Sequence, residues 1–254
     1  EQPRNARGLS ILSLPSGAVR ELSLQMHYAL RPRWTPDGSL AVEGSDLKGR
    51  GGLHRVDLET GEISPIVLRS GGVGPVGNVR QFSWSPDGRW LVFNRRTDGG
   101  SAIVMKDLRS GHERELRQRD RPITGVRLSP DGQRIAFVER DGTVDTLNVM
   151  SSEGSDIREL VRVESPHALG GLVEWTPDGQ RIVFIRGAGT GPAGRSLWSI
   201  RSAGGNLVAL DLDVASATPA SLRIHPDGRQ VAFDSPGPVT GEIWALESFL
   251  PANR

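Results

Sequence analysis

Trp84-Ser85-Pro86-Asp87-Gly88-Arg89-Trp90-Leu91-Val92-Phe93 (residues 84–93) is the stretch whose reading decides the fold. Proline presets φ, aspartate bonds the backbone ahead of it, and glycine supplies the positive φ that closes a tight turn. Short apolar runs flank that turn, which is the signal for two antiparallel strands. Pro-Asp-Gly occurs five times, beginning at Pro36, Pro86, Pro130, Pro177 and Pro226, at intervals of 50, 44, 47 and 49 residues. A large residue stands two places before each of these prolines (Trp34, Trp84, Leu128, Trp175, Ile224), and a second run follows each turn: Leu40–Val42, Leu91–Phe93, Ile135–Phe137, Ile182–Phe184 and Val231–Phe233. A third run then appears, such as Ile103–Met105 or Leu197–Ser199. A second turn, Glu59-Thr60-Gly61 or Arg109-Ser110-Gly111, leads into a short fourth run such as Glu115-Leu116.

Four strands repeated every ~45 residues is the spacing of a β-propeller blade. The chain therefore reads as an all-β propeller of four-stranded antiparallel blades, one domain over residues 1–254. Its repeat units span about 25–70, 71–118, 119–163, 164–212 and 213–250, with residues 1–24 as closing strands. Leu9–Leu14 and Ala18–Leu24 read as a third and a fourth strand, four complete units follow, and the last unit stops after three strands. Five blades result if Ala18–Leu24 completes the last blade, since closure removes exposed edges. The alternative is an incomplete six-bladed ring, whose open edge would favour dimerisation.

Composition narrows the function classes. Thirty-one basic and 30 acidic side chains leave no field that would draw nucleic acid or a membrane surface, and 13 aromatics offer no stacking platform for bases. The absence of cysteine excludes a disulfide framework, a thiolate metal site and a cysteine nucleophile. No apolar run is long enough to span a bilayer. There is no Gly-x-Ser-x-Gly elbow, and Gly187–Gly194 lacks the Gly-Lys-Ser/Thr ending of a phosphate loop.

The Ser/Thr-Pro-Asp-Gly-x-x-Ile/Leu-x-Phe repeats, with Leu197-Trp198 or Ile243-Trp244 on a third strand, resemble the TolB-like, WD-repeat-like bacterial propellers. Ser85–Gly88, Ser129–Gly132 and Thr176–Gly179 match best, whereas Glu43 follows Val42 where the Phe is expected and His225 replaces the Ser. The resemblance implies a rigid binding or scaffold module for a protein, peptide or small anionic ligand. It also implies a periplasmic or secreted setting, with the cytoplasm as the alternative. The closing run Glu242–Pro251 resembles the C-terminal end of multidomain chains that carry a kinase, a regulator or a membrane segment upstream.

Candidate sites follow from aligning the repeats. Three places before each proline stand Arg33, Ser83, Arg127, Glu174 and Arg223, on what reads as the innermost strand. Two readings compete: arginine forks holding an anionic ligand on the axis, or a salt-bridged collar around Glu174. On the second strands the aligned residues are Glu43, Asn94, Val138, Ile185 and Asp234, followed by Gly44, Arg95, Glu139, Arg186 and Ser235. Two carboxylates and one amide fall short of the oxygens calcium needs, so no metal and no cofactor is expected. The hydrolase alternative, acting on an ester, lactone or phosphotriester, would draw on Glu43, Asp234, His27 and His167 as acids and bases in the channel mouth. His54, His112 and His225 read as a surface residue, a turn residue and a turn cap. The strand 2–3 connections Glu43–Gly52, Asn94–Ser101, Glu139–Asp145, Arg186–Arg195 and Asp234–Glu242 read as variable loops on one face, where binding usually sits.

Overall fold

The computed structural model describes residues 9–12, 18–68, 82–97, 99–188, 195–213, 222–225, 228, 230–235 and 242–247. The chain divides into two compact units, Glu1–Arg80 and Gln81–Arg254. The first holds a two-stranded ribbon, β1 (Leu9–Leu12) and β2 (Val19–Leu22), and a four-stranded sheet of β3 (Met26–Trp34), β4 (Leu40–Asp46), β5 (Gly51–Val56) and β6 (Ile63–Leu68). The second holds three four-stranded sheets and one three-stranded sheet. They are β7 (Phe82–Trp84), β8 (Trp90–Thr97), β9 (Gly100–Asp107) and β10 (Glu113–Arg119), then β11 (Ile123–Leu128), β12 (Arg134–Asp141), β13 (Val144–Ser151) and β14 (Arg158–Glu164). After these come β15 (His167–Trp175), β16 (Arg181–Ala188), β17 (Ser196–Arg201) and β18 (Val208–Asp213), and finally β19 (Leu222–Ile224), β20 (Gln230–Ser235) and β21 (Glu242–Glu247). Every pairing is between antiparallel neighbours in sequence. The fold is all-β, with four four-stranded sheets that resemble propeller blades. No helix of the described residues is long and apolar enough to cross a membrane.

Each Pro-Asp-Gly turn closes in the same way. The glycine N–H donates to the carbonyl three residues back in all five turns, from Gly38 to Thr35 at 2.9 Å through to Gly228 to His225 at 2.8 Å. Gly38, Gly88, Gly132, Gly179 and Gly228 all have positive φ, between 66° and 81°, the region where a Cβ is costly. The hydroxyl before the proline adds a second layer. Ser85, Ser129 and Thr176 each donate to the aspartate two residues on. Each also accepts the N–H of the first residue of the next strand: Trp90 at 2.8 Å, Arg134 at 2.9 Å and Arg181 at 2.9 Å. Thr35 likewise donates to Asp37. The Ser85 hydroxyl, helped by the Arg89 N–H, holds the Asp87 carboxyl below the ordinary carboxylate range.

Packing between sheets explains the unbroken apolar runs of the second strands. Alternate residues on a strand face opposite ways. Along β12, Ile135 and Phe137 enter one core with Val92, Ile103, Ile123 and Met150, while Ala136 and Val138 enter another with Val173, Trp175, Ile182 and Phe184. Along β16, Ile182 and Phe184 belong to that second core, and Val183 and Ile185 to a third with Leu197, Leu210 and Leu222. Sheets covered on both faces read as continuous rather than alternating apolar strands. Within the second unit the first strands lie side by side, β11 against β7, β15 against β11 and β19 against β15. The turns stack with them: a Cβ on Gly132 would lie 3.3 Å from Pro86 Cδ, and one on Gly179 or Gly228 would lie 3.8 Å from Pro130 or Pro177 Cδ. In the first unit, Leu9, Ile11 and Leu22 of the ribbon pack with Leu40, Val42 and Val56.

Several expectations need correction. The strand 2–3 connections at Glu43–Gly52, Asn94–Ser101 and Glu139–Asp145 are mostly strand. β8 and β9 are joined by residues 98–99, β12 and β13 by Gly142-Thr143, and β4 and β5 by a turn whose Asp46 carboxylate accepts the N–H of Lys48 at 3.0 Å and of Arg50 at 2.8 Å. Polar residues there alternate along paired strands, so polarity alone mimicked loops. Trp34 is 59% exposed, and β2 (Val19–Leu22) is shorter than the Ala18–Leu24 read for it. Residues 189–194 and 236–241, in the other two connections, lie outside the described residues, as do residues 13–17 between the first two strands.

Removing the turn hydroxyl with Ser129→Ala strands the Arg134 N–H and is expected to cost about 1–2 kcal/mol. Gly132→Ala meets both a positive φ and the Pro86 ring and is expected to cost about 1 kcal/mol or more. Thermal unfolding of the two variants checks both values.

Candidate functional site

Long first strands would carry their side chains past the sheet in simple alternation, but β3, β11 and β15 each bulge at the same height. Leu30 pairs with Glu43 and Arg33 with Ala41. Thr124 pairs with Val138 and Arg127 with Ala136. Leu169 pairs with Arg186 and Val173 with Phe184. Extra residues on the bulged strand re-aim the side chains that follow. Gly125, at φ 67°, occupies the β11 bulge, where a Cβ would come within 2.6 Å of Val173 Cγ2. Gly170 does the same in β15, beside Ile185.

The bulges deliver Arg127 and Glu174 to one another. Arg127 Nε lies 3.2 Å from Glu174 Oε1, and Arg223 Nη1 bonds the same oxygen from β19. Arg127 is the buried member, with a side chain only 5% exposed; Glu174 is 16% and Arg223 39% exposed. Burial pushes the Glu174 carboxyl up from its ordinary value, against the pull of the Arg127 guanidinium. The triad comes from three successive sheets and carries one positive charge in excess. Trp175 Nε1 donates to the Arg127 carbonyl at 3.1 Å and holds the backbone beneath it. Arg33 occupies the same register on β3, half-buried in the first unit, and Ser83 on β7 is half-buried in the second.

The other candidates are drawn into seams between sheets or onto their own sheet. Asn94 is buried, and its Nδ2 donates to the Ile123 carbonyl at 3.0 Å. Glu139 receives Arg117 from the preceding sheet, with Arg119 Nε at 3.7 Å, and the Arg117 guanidinium lies 5.5 Å from the Phe137 ring centre. Arg95 bonds Glu113 at 2.5 Å within its own sheet, and Arg186 lies 5.1 Å over the Trp198 ring. Glu43 is buried on β4, and His27 and His167 are exposed on β3 and β15. Asp234 lies on β20, with its side chain outside the described part. His54 is 1% exposed, which corrects its reading as a surface residue: it and Leu53, on opposite faces of β5, are both buried. Among the described residues, no group of three or more His, Asp or Glu side chains is placed to hold a metal ion.

Sequence reading missed the partners Arg117 and Glu113, because they lie on fourth strands whose register is set by pairing. It missed the bulges as well, although Gly125 and Gly170-Gly171 inside strand patterns were a usable signal.

No protein-family model matches the chain. The Tol-Pal system protein TolB of Anaeromyxobacter dehalogenans (strain 2CP-C) is 36% identical over 78 residues, which are 31% of this chain and 18% of that one. TolB from Acinetobacter baumannii superposes with a TM-score of 0.68 at 20% identity, over 95% of this chain and 57% of that chain. The TolB-type protein of Agrobacterium tumefaciens does so at 0.70 and 19%, over 95% and 85%. The chain has a TolB-like fold. That fold does not select one activity, because an oligogalacturonate lyase in complex with manganese also superposes on this TolB-like chain, at 0.62 and 16% identity over 96% and 82% of the two chains.

Glu174→Ala is expected to destabilise the protein by about 3 kcal/mol, because it leaves the buried Arg127 uncompensated. The Arg127→Ala and Glu174→Ala pair should cost clearly less than the sum of the single changes. A double-mutant cycle in urea measures the coupling, and strict additivity would show that the two groups do not interact.

Proposed function

We propose that this chain is a binding module, a TolB-like propeller domain whose partner is a protein or peptide. The observation that carries this reading is the use of the candidate polar groups. Glu139 is engaged by Arg117, Glu174 by Arg127 and Arg223, and the Asn94 amide by Ile123, so each joins sheet to sheet. Groups committed in this way give rigidity, and a rigid frame presenting hairpins and inter-sheet connections lowers the ordering cost of binding. The contact face assigned to the partner is the end of the strands that carries the β8–β9 and β12–β13 hairpins, Arg95, Glu139 and Arg186. The triad of Arg127, Glu174 and Arg223 is the charged collar of this reading, suited to a carboxylate-bearing ligand. A periplasmic or secreted setting goes with this reading.

Purified protein is expected to show no turnover above buffer with activated esters, lactones and phosphotriesters, and to enrich specific sequences from a displayed peptide library. Turnover that scales with protein and falls when Arg127 and Glu174 are replaced together would overturn the binding reading in favour of the hydrolase.

Closure into five blades belongs to the same proposal, with residues 18–24 as the closing strand and the incomplete six-bladed ring as the alternative. Deletion of residues 1–24 should then lower the melting temperature sharply or make the protein associate. An unchanged monomer with an unchanged melting temperature would reject closure.

A further inference from the structure

The internal repeat supplies a template for a cleft that one pair of sheets fills and another leaves open. Four places after the proline stand Trp90 in the second sheet and Arg134 in the third; two places before it stand Leu128 and Trp175. Between the third and fourth sheets, Arg134 fills the cleft. Its guanidinium lies 5.0 Å from the Trp175 ring centre, Nη1 donates to Ser202 Oγ at 2.9 Å, and Nη2 donates to the Gly179 carbonyl at 3.1 Å. Arg158, opposite Val149 on β14, donates to the Ser202 carbonyl at 2.7 Å, so two guanidinium groups share this corner.

The cleft between the second and third sheets has the same frame and a different filling. Gly132 and Ser152 stand where Gly179 and Ser202 stand in the filled cleft. Arg114, opposite Met105, takes the place of Arg158 and reaches Ser152 O at 3.5 Å and Glu153 Oε2 at 2.6 Å. Trp90 and Leu128 replace the Arg134–Trp175 pair, so Arg114 crosses over alone and no second guanidinium joins it. What remains is a hollow of about 450 Å³ with an apolar side of Trp90, Met105 and Leu128 and a polar rim that holds Ser152, Glu153, Arg114 and His112. Among the described residues nothing donates to the Gly132 carbonyl or to the Ser152 hydroxyl. Glu153, an acid, stands where the filled cleft has Ala203.

We propose that this hollow binds an arginine side chain of a protein or peptide partner, supplied in trans where the next repeat supplies Arg134 in cis. The aliphatic stem lies along Trp90, Met105 and Leu128, which suits a long side chain with an apolar body. The guanidinium donates to the Gly132 carbonyl and Ser152 hydroxyl, as Arg134 does to Gly179 and Ser202, and the exposed Glu153 carboxylate, shared with Arg114, offsets the charge of the two guanidinium groups. A lysine ammonium lacks the planar fork that reaches both acceptors. The site lies at the Pro-Asp-Gly end of the strands, away from the hairpin face assigned above, and stands or falls separately from it.

The test is calorimetric titration of the full chain with the acetylated, amidated tripeptide Gly-Arg-Gly, beside its lysine, citrulline and norleucine counterparts. The Trp90 indole resonance is followed in parallel. The arginine peptide is expected to bind at least about tenfold more tightly than the other three and to shift Trp90. Glu153→Gln, an exposed change, should weaken it by a similar factor, and Trp90→Arg should abolish binding by filling the cleft from within. Norleucine binding as well as arginine would overturn the proposal in favour of a purely apolar slot. Arginine binding that survives Trp90→Arg, or no Trp90 shift with any peptide, would also overturn it.

Discussion

The Ser/Thr-Pro-Asp-Gly turn is the constraint on which the rest depends. Its buried hydroxyl serves both the aspartate and the first N–H of the following strand, so strand order and register are set within six residues. Its glycine has a second use that local chemistry does not reveal. Gly132, Gly179 and Gly228 lie against the proline ring of the preceding turn, most tightly at Gly132, where a Cβ would come within 3.3 Å of Pro86 Cδ. The same tetrapeptide therefore closes a hairpin and spaces one sheet from the next. His225, in the last repeat, keeps the backbone bond of the turn while lacking the hydroxyl.

Once sheets are stacked by their turns, both faces of each inner sheet are covered, and polar groups at the seams need partners. The chain meets this need with side chains that cross between sheets. Arg117 reaches Glu139, Asn94 reaches Ile123, Trp175 reaches Arg127, and Asp145 accepts the Leu169 N–H at 2.8 Å. Glu139, one of the candidate residues, is thus held by an arginine of the neighbouring sheet. The excess of arginine has a corresponding use, since a planar fork can bridge sheets while its charge is retained. Arg134 and Arg158 converging on Ser202 show this at one corner, and the cleft beside Trp90 shows the same frame with Arg114 alone.

Much of the architecture was legible in the amino-acid order. The four complete units, the three-stranded last unit and the second-strand cores at Phe93, Phe137 and Phe184 follow from period and turn chemistry. The row of Arg33, Ser83, Arg127, Glu174 and Arg223 on first strands was legible too. The burial of His54, the exposure of Trp34 and the short hairpins at Gly99 and Gly142 were not. Each depends on what lies against a strand face, and a repeat alignment carries no information about its neighbours.

The sequence by itself determined where the first and second strands of each unit meet and which residues share a place in the repeat, because turn closure acts over a few residues. Tertiary structure decided what those residues do. Glu174 meets Arg127 and Arg223 across 47 and 49 residues of chain, and the bulged strands β11 and β15, with β19 in the next sheet, bring their tips to a single oxygen. Whether a given arginine fills a cleft, closes a seam or leaves a hollow depends on the sheet packed beside it. That packing arises from long-range burial, for which no local spacing in the chain provides a code.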